Sequence, residues 1–360
     1  MITGRTQLRR DDATAKTVVV CWVLCVLASF APANERVTFV GVALDQETRE
    51  ADRRLQDYLQ KSAGIRFAPE ELEYGQVIDR LANWSPAGGV VIARTTPYVQ
   101  VVSEMLGAEL EILGTYFSEA TGRTTYHSYY VARKDDLPPD PRPADVISLA
   151  ANARNRLRFT YHSLFSTSSF FLPSLYFRAN GVFHMEESTE SLAAIQVTRA
   201  DTNSSSHLVR AVALGEADLA AVWDGTRARF TDGATGEDKD VGRSVVFVRL
   251  PSAIPNDLLV CSRSAPAELK ESLRSAIRLM PQKEIAVGDF ARWVEIGDAP
   301  EARAALAHLR WLAREQVAPV TVDVRQGSGS PTGTAVMVAA AQHAVRLSGT
   351  EFMLFDEDFH

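Results

Sequence analysis

One corner of the sequence, in which a strand meets a helix through a row of hydroxyl side chains, constrains the fold most strongly. Leu157–Tyr161 has the β-branched and aromatic residues typical of a strand, and Ser169–Asn180 is typical of a helix. Between them lie Ser166, Thr167 and Ser168, which we call the hydroxyl corner. The first N–H groups of a helix have no partner inside it, and the helix dipole is positive there. The corner therefore predicts a turn with several hydrogen-bond donors that point the same way.

Two interpretations of the hydroxyl corner remain open from the spacing alone. Serine and threonine are ordinary helix caps, and a cap requires only one of the hydroxyls. The hydroxyls and the nearby N–H groups together also form a receptor for a small oxyanion such as phosphate, phosphonate or sulfate. The first interpretation makes the corner structural, and the second makes it a binding site.

Strand-like and helix-like segments alternate along the chain before this corner. Strands are predicted at Val37–Ala43 and Gly89–Ala93, and helices at Ala51–Leu59, Tyr74–Leu81 and Pro97–Met105. Such alternation is typical of an open, largely parallel α/β sheet. In sheets of this kind, ligands bind at the carboxyl ends of the strands, where the helices begin.

A proline-rich connector, Leu137–Pro143, interrupts the alternation, which then restarts. A long predicted strand ends at Arg133, and strand signals return near Val246. We therefore predict two α/β lobes, with the chain crossing between them near these two residues; two independent domains in series are the alternative. The predicted division is a signal peptide at 1–33, a first lobe at 34–132 plus 246–315, a second lobe at 133–245 and a C-terminal extension at 316–360.

The N-terminus has the pattern of a secretory signal. A basic stretch precedes an apolar run, Thr17–Ala31, which is too short to span a bilayer comfortably. The run ends in Ala31-Pro32-Ala33, a small-x-small pattern that suits signal peptidase. We expect cleavage after Ala31 or Ala33 and a periplasmic location, with an uncleaved N-terminal anchor as the alternative.

Charge and cysteine usage narrow the class of protein further. The formal net charge is −7 at pH 7, which argues against a nucleic-acid surface. After removal of the signal, Cys261 is the one remaining cysteine, so no intrachain disulfide can form. Near the C-terminus, a helix is predicted at Asp298–Gln316, a flexible linker at Gln326–Pro331, and a short apolar helix with an acidic end within Thr334–His360.

Polar and aromatic residues recur where the predicted strands end. They are Tyr74, Thr95, Tyr126, His207 and Asp257. Each has a structural explanation as well, because tyrosines are often half-buried, a histidine can cap a helix, and an aspartate after Pro-Asn is a common turn residue.

Four of these residues, all except Thr95, belong to short motifs that occur in a fixed order along the chain. The motifs are Glu73-Tyr74, Tyr126-His127-Ser128, Ser166-Thr167-Ser168-Ser169-Phe170-Phe171-Leu172-Pro173, Ser206-His207 before Ala211–Asp218, and Ile254-Pro255-Asn256-Asp257. In this order they resemble the phosphate/phosphite/phosphonate-binding proteins of ABC importers, and the phosphonate-binding proteins among them in particular. The resemblance runs from Val37 to about Pro281.

The resemblance implies a type II periplasmic binding protein, with two α/β lobes joined by two crossing strands and a ligand cleft between them. The ligand-binding set that it implies is Tyr74, Tyr126, Ser166, Thr167, Ser168, His207 and Asp257. To this set we add Thr95, which begins a helix in a segment that departs from the family pattern. In this set the hydroxyl corner and the histidine hold the oxyanion, and the tyrosines close over it from the other lobe. The Asp257 carboxylate accepts from an amine or from a protonated oxygen of the ligand.

Three departures from the family pattern bear on which oxyanion is bound. Arg94 and Thr95 stand in a segment where the family usually has an aspartate, and Ser169 replaces a glycine after the hydroxyl corner. An acidic residue that the family has near the second-lobe strand has its nearest match in Asp224.

The function implied by the resemblance is solute binding without catalysis. The protein is expected to deliver a phosphate- or phosphonate-like oxyanion to an ABC permease in the inner membrane, as a monomer and with neither cofactor nor metal. A sensor that reports an oxyanion to a membrane histidine kinase is a close alternative. A hydrolase triad of Ser166, His207 and Asp257 lacks the Gly-x-Ser-x-Gly elbow. A ferric-iron clamp of tyrosines, histidine and aspartate would have no use for the hydroxyl corner.

Overall fold

The structure is a computed structural model of α/β type. The described residues are 37–42, 46–119, 121–152, 157–163, 165–180, 182, 195–200, 204–281, 285–287, 290–316, 318–323 and 334–339. The predicted signal peptide and the predicted linker lie outside these residues. Within the described part, no helix has the length and apolar character that a membrane span requires.

Strands and helices alternate through most of the described chain. The strands are β1 (Val37–Val42), β2 (Phe67–Leu72), β3 (Val90–Thr95), β4 (Leu110–Ser118), β5 (Thr125–Arg133), β6 (Leu157–Tyr161), β7 (Ile195–Arg199), β8 (Leu219–Trp223), β9 (Val245–Pro255), β10 (Leu258–Ser262), β11 (Phe290–Glu295), β12 (Ala318–Asp323) and β13 (Thr334–Ala339). The helices are α1 (Gln46–Ala63), α2 (Tyr74–Ala82), α3 (Pro97–Met105), α4 (Pro143–Asn152), α5 (Leu172–Ala179), α6 (Ser205–Ala213), α7 (Asp224–Thr231), α8 (Gly236–Ser244), α9 (Ala267–Arg278) and α10 (Pro300–Gln316).

The first sheet has the strand order β11-β4-β10-β3-β1-β2. β1 is parallel to β2 and β3, whereas β10 is antiparallel to β3 and β4, and β11 is antiparallel to β4. Every residue of β1 and β3 is buried, as expected for parallel strands with both faces covered, while the edge strand β2 is partly exposed. The predicted largely parallel sheet is therefore a mixed sheet: β3, β1 and β2 form its parallel side, and the pairs that β10 and β11 make are antiparallel.

The second sheet has the order β7-β6-β8-β5-β9. β6 is parallel to β7 and β8, and β5 is antiparallel to β8 and β9. The carboxyl end of β6 leads to the hydroxyl corner, so the corner lies at the edge of this sheet where ligands are expected. One apolar core cluster includes residues from both parts of the fold, among them Val40, Tyr98, Phe159 and Phe171.

The chain passes between the two sheets twice, from β4 to β5 and from β9 to β10. β5 and β9 pair with each other from Thr125 opposite Pro255 to Arg133 opposite Val245. Both strands therefore pair in the second sheet, whereas the predicted division places most of each in the first lobe. Sequence patterns show where a strand occurs but not which sheet it joins, and the division into lobes by residue number stays a prediction.

The C-terminal region differs from its prediction. β12 and β13 form an antiparallel pair, in which Ala318 lies opposite Ala339 and Asp323 opposite Thr334. The predicted short apolar helix after Thr334 is therefore wrong for 334–339. Three β-branched residues, Thr334, Val336 and Val338, occupy alternate positions of this segment, which is a strand pattern.

Candidate functional site

The hydroxyl corner is built on a wide first turn. Ser166 has an extended backbone, and its Oγ accepts a hydrogen bond from the Ser169 N–H at 3.2 Å, as a helix cap does. The Ser166 carbonyl accepts from the Phe171 N–H at 3.0 Å, a span of five residues that makes Thr167–Phe171 a π-helical turn. The turn continues into α5. Ser166 is thus the helix cap that the structural interpretation of the corner requires. This cap leaves the hydroxyls of Thr167 and Ser168 to other partners.

Thr167 and Ser168 connect the corner to other elements. The Thr167 Oγ1 accepts a hydrogen bond from the Tyr98 N–H in the first turn of α3, at 3.1 Å. The Ser168 carbonyl accepts from the Ser128 hydroxyl of β5, at 2.7 Å. The three hydroxyl-bearing residues of the corner are all buried. The corner is therefore fixed both to its own sheet and to a helix that follows the first sheet.

The N-terminal ends of two helices meet at the hydroxyl corner. α3 begins after Thr96, whose Oγ1 caps the Val99 N–H at 3.3 Å, and Tyr98 is in its first turn. Because the N-terminal ends of helices carry a partial positive charge, α3 and the turn leading into α5 bring two such ends together. The separation of 3.1 Å between the Tyr98 nitrogen and Thr167 Oγ1 shows how closely they approach.

Aromatic rings surround the meeting point of these two helices. The ring of Tyr98 lies 4.6 Å from that of Phe171 and 6.2 Å from that of Phe165, measured between centroids. Phe165 also packs against α2, where a Cβ added to Gly75 would lie 3.3 Å from the ring. These contacts give the polar corner a largely apolar surround, which strengthens hydrogen bonds made inside it.

Ser169, which replaces a glycine of the family pattern, contributes a buried hydroxyl to this region. It is 1% exposed, and its Oγ has no hydrogen-bond partner among the described residues. Leaving a buried hydroxyl unpaired costs about 1–3 kcal/mol. A donor or acceptor that entered the corner would remove this cost.

The predicted residues Thr95, Tyr126 and His207 lie in different settings. Thr95 ends β3 and is buried, and its hydroxyl donates to Gln100 Oε1 at 3.3 Å. Tyr126 lies in β5, and its ring meets the Trp223 ring edge to face at 6.3 Å. His207 is exposed in the first turn of α6. The three residues thus belong to three different elements: the end of β3 in the first sheet, β5 in the second sheet, and the first turn of α6.

Tyr74 is the first residue of α2, and its side chain lies outside the described part of the structure. The helix begins with a capping box between Glu73 and Gln76, in which each side chain accepts from the other residue's backbone N–H. The position of Tyr74 in the first turn of a helix after a strand is therefore fixed by local sequence.

Asp257 belongs to a buried group of charges. The Arg94 Nε and Nη2 donate to the two Asp52 carboxylate oxygens at 2.5 and 2.9 Å, and Nη1 donates to Asp257 Oδ2 at 2.7 Å. Nη2 also donates to the Val42 carbonyl at 3.1 Å. We call Asp52, Arg94 and Asp257 the charge cluster. It lies where β1 and β3 end and β10 begins, at the edge where sheets of this kind bind ligands.

Burial dominates the electrostatics of the charge cluster. The Arg94 side chain is 1% exposed, and those of Asp52 and Asp257 are 10% and 16% exposed. Burial raises the pKa of both carboxyls, and Arg94 opposes that rise. Against the lowering effect of burial, the two carboxylates raise the pKa of Arg94 above its ordinary value. The guanidinium is therefore a permanent cation with two carboxylate partners.

Asp52 is a member of the cluster that the sequence interpretation missed. It lies in α1 on the same helical stripe as Thr48, Leu55 and Leu59, all of which are buried. An aspartate on an apolar stripe was the signal that it has a buried cation as partner. Gly41 makes room for it, because a Cβ there would lie 2.5 Å from Asp52 Oδ2.

Asp224, the nearest match to the family's acidic residue, has a structural role in the second sheet. Its carboxylate accepts from the His127 N–H at 2.6 Å and from the Tyr129 hydroxyl at 2.8 Å. Burial, together with this hydrogen bond, raises the pKa of Tyr129 to about 12. The carboxylate thus ties the start of α7 to β5.

The sequence of residues 38–317 matches the family described as "ABC transporter, phosphonate, periplasmic substrate-binding protein". The chain belongs to this family of periplasmic substrate-binding proteins, which are transporter components and not enzymes. The predicted family and the predicted absence of catalysis are therefore confirmed. No curated protein matches the sequence.

Solved structures with a similar fold come from several bacteria. A Xanthomonas citri protein bound to chloride has 16% sequence identity and a TM-score of 0.55, with 77% of this chain and 96% of that chain covered. A binding protein component of an ABC phosphonate transporter from Pseudomonas aeruginosa has 16% identity and a TM-score of 0.51, with 77% and 87% covered. PhnD1 from Prochlorococcus marinus in complex with methylphosphonate has 14% identity and a TM-score of 0.53, with 78% and 98% covered.

These similarities confirm the predicted fold class. The two mixed α/β sheets, between which the chain passes twice, are those of a type II periplasmic binding protein.

Proposed function

We propose that this protein binds a phosphorus oxyanion, either phosphate or a phosphonate, at the hydroxyl corner and hands it to an ABC permease in the inner membrane. The observation that carries the proposal is the approach of two helix N-terminal ends, with Tyr98 N only 3.1 Å from Thr167 Oγ1. An oxyanion between them would receive N–H and O–H donors from both sides, and both helix dipoles would favour its charge.

The chemistry of the corner supports this ligand class. Its donors are neutral hydroxyl and amide groups in a buried, aromatic-lined place, where hydrogen bonds to an anion are strong. The unpaired Ser169 hydroxyl adds a group that an oxyanion oxygen would satisfy. To bind, the ligand replaces the hydrogen bond between Tyr98 and Thr167 with two bonds to its own oxygens.

The remaining predicted residues are proposed to complete the ligand shell from other elements. We assign Tyr74 and Tyr126 to closure over the anion and the exposed imidazole of His207 to a donor role toward one oxygen. The Thr95 hydroxyl already donates to Gln100 Oε1. In this proposal Thr95 therefore takes part through its backbone at the end of β3 and not through its hydroxyl. One oxygen of the Asp257 carboxylate already accepts a hydrogen bond from the Arg94 guanidinium.

The known ligands of similar structures agree with an anion site. PhnD1 from Prochlorococcus marinus was solved with methylphosphonate, and the Xanthomonas citri protein with chloride and with ATP. Export through a signal peptide at 1–33, cleaved after Ala31 or Ala33, would place the protein where such anions are collected.

Calorimetry of the purified protein tests the proposal directly. The panel is phosphate, phosphite, methylphosphonate, 2-aminoethylphosphonate, sulfate and arsenite, and a phosphorus oxyanion should bind best. Absence of heat from every phosphorus oxyanion would contradict the proposal.

Two variants locate the site within the protein. Ser168→Ala and His207→Ala should each remove one charge-assisted hydrogen bond, worth about 1.5–3 kcal/mol, and weaken binding about ten- to hundredfold. Thr231→Ala removes an exposed hydroxyl of α7 that donates to the Arg227 carbonyl, and it serves as the matched control with unchanged affinity. Equal affinities in all three variants would show that the anion binds elsewhere.

A further inference from the structure

The two helices whose N-terminal ends meet at the hydroxyl corner are both linked to a third helix, α10. This helix packs against α3 and against β9 of the second sheet. Its buried residues Leu306 and Leu309 belong to the same apolar core cluster as Val99 of α3 and Leu250 of β9. α10 therefore contacts both the helix that donates to the corner and the sheet that carries the corner.

An ion pair joins α10 to the far end of α3. The Arg310 Nε and Nη2 donate to the two Glu104 carboxylate oxygens at 2.8 and 2.5 Å, a paired geometry that holds both side chains in one orientation. The Gln100 Nε2 donates to Glu104 Oε1 at 2.7 Å, and Gln100 Oε1 accepts from the Thr95 hydroxyl at 3.3 Å. Gln100 is completely buried. These bonds run along α3 from Arg310 to the strand end just before the turn that contains Tyr98.

A second chain of hydrogen bonds joins α10 to α5. The His308 Nε2 lies 3.1 Å from the Ser252 Oγ of β9, and that Oγ lies 3.1 Å from the hydroxyl of Tyr176 in α5. Tyr176 is buried. Since α5 continues the π-helical turn of the corner, these bonds hold the second of the two helices that meet there.

The positions of His308 and Arg310 on α10 explain how one helix serves two partners. Residues two positions apart on a helix do not face the same way, so one side chain reaches β9 while the other reaches α3. The two sets of bonds therefore fix α3 and α5 relative to each other through a single helix. At the other ends of α3 and α5, the same arrangement sets the 3.1 Å between Tyr98 N and Thr167 Oγ1.

We infer that Arg310 and His308 are positioning residues, which act through α10 to hold the two helix ends at the separation that an oxyanion requires. The inference rests on the proposed function, since it concerns the geometry of the same site. Neither residue contacts the ligand in it, and each acts through a helix that supplies donors. Two helix ends favour one anion only while both point at it, so a loosened helix weakens binding.

Calorimetry with phosphate, phosphite, methylphosphonate and 2-aminoethylphosphonate tests the inference in single variants. Arg310→Met removes one set of bonds from α10, and His308→Leu removes the other. Each should weaken binding about three- to tenfold. Arg310→Lys and His308→Gln keep a polar partner at each place and should recover most of the lost affinity. Arg303→Met, at an exposed position of α10, is the matched control with unchanged affinity.

Hydrogen exchange of the Tyr98 amide gives a second measurement, which needs no ligand. This N–H donates to Thr167, so Arg310→Met and His308→Leu should both make it exchange faster relative to the amides of the buried strand β1. Arg303→Met should match the wild-type protein. A selective effect at Tyr98 separates positioning of the helix end from a general loss of stability.

Two results would overturn the inference while leaving the proposed function intact. One is an oxyanion affinity that neither Arg310→Met nor His308→Leu changes. The other is exchange that rises equally at Tyr98 and in β1, which would show that the two residues only stabilise the fold. Absence of heat from the wild-type protein with all four anions would instead overturn the proposed function and the inference with it. The affinity and the exchange of Arg310→Met decide the matter even if His308→Leu fails to fold.

Discussion

The hydroxyl corner and the charge cluster both bury polar groups where strands of the two sheets end, but by different means. The corner uses neutral groups, and Thr167 accepts a single hydrogen bond from the Tyr98 backbone. The cluster uses three full charges, and the Arg94 guanidinium donates to both carboxylates. A neutral corner can exchange one protein hydrogen bond for bonds to an anion at little cost. A buried charge whose partner is removed has no comparable replacement, so the cluster is expected to govern stability and the corner to govern binding.

Arg94→Met gives the largest expected effect and tests the stability half of this comparison. The variant leaves two buried carboxylates without their cation, so the free energy of unfolding should fall by about 3–5 kcal/mol in urea titrations. Arg53→Met is the matched control, because Arg53 pairs with Glu50 on the exposed face of α1 and should change stability by less than about 1 kcal/mol. Equal effects of the two variants would show that the cluster does not stabilise the fold.

Thr167→Val tests the corner with a side chain of nearly the same shape. Without Oγ1, the buried Tyr98 N–H loses its acceptor, which should lower the free energy of unfolding by about 1–3 kcal/mol. Thr231→Val, at an exposed position of α7, should leave stability nearly unchanged. A larger loss for Thr167→Val than for Arg94→Met would reverse the comparison between the two regions.

A pH titration gives the smallest expected effect and concerns the strand that supports the corner. Tyr129 follows Ser128 on β5, and burial raises its pKa to about 12 from an ordinary value near 10. Because the folded state holds this proton more tightly than the unfolded state, the stability it contributes is complete below about pH 10 and is lost as the pH rises toward 12. Tyr129→Phe should show a shallower loss over this range in denaturant titrations. An identical pH profile in the variant would exclude Tyr129 as a cause.

Local sequence patterns predicted the parts of the fold that depend on near neighbours. The strand at Leu157–Tyr161, a helix cap by one hydroxyl of the corner, which is Ser166, and the helices that follow the strands of the first sheet are all present. Each depends on contacts within a few residues, such as the bond from the Ser169 N–H to Ser166 Oγ. The motif order was likewise enough to identify the family.

Contacts between distant residues could not be predicted in the same way. The bonds that Arg94 makes to Asp52 and Asp257 span 42 and 163 positions of the sequence, and no spacing rule relates such residues. Asp257 was therefore predicted as a ligand acceptor without the cation that occupies it. Thr95 was predicted at the correct strand end, but the Gln100 partner of its hydroxyl depends on how α3 turns after the strand.

The place of β10 in the first sheet affects the order in which the protein can assemble. This strand lies between β3 and β4, although Leu258–Ser262 follows all five strands of the second sheet in the chain. A chain emerging from its N-terminus therefore has every strand of the second sheet by Pro255, while the first sheet still lacks a central strand. Because pairing over such a separation carries a large loop-closure entropy, we expect the second sheet to fold first. The first sheet would then close around β10 late in biogenesis, and the charge cluster would form only at that step, when Asp257 reaches Arg94.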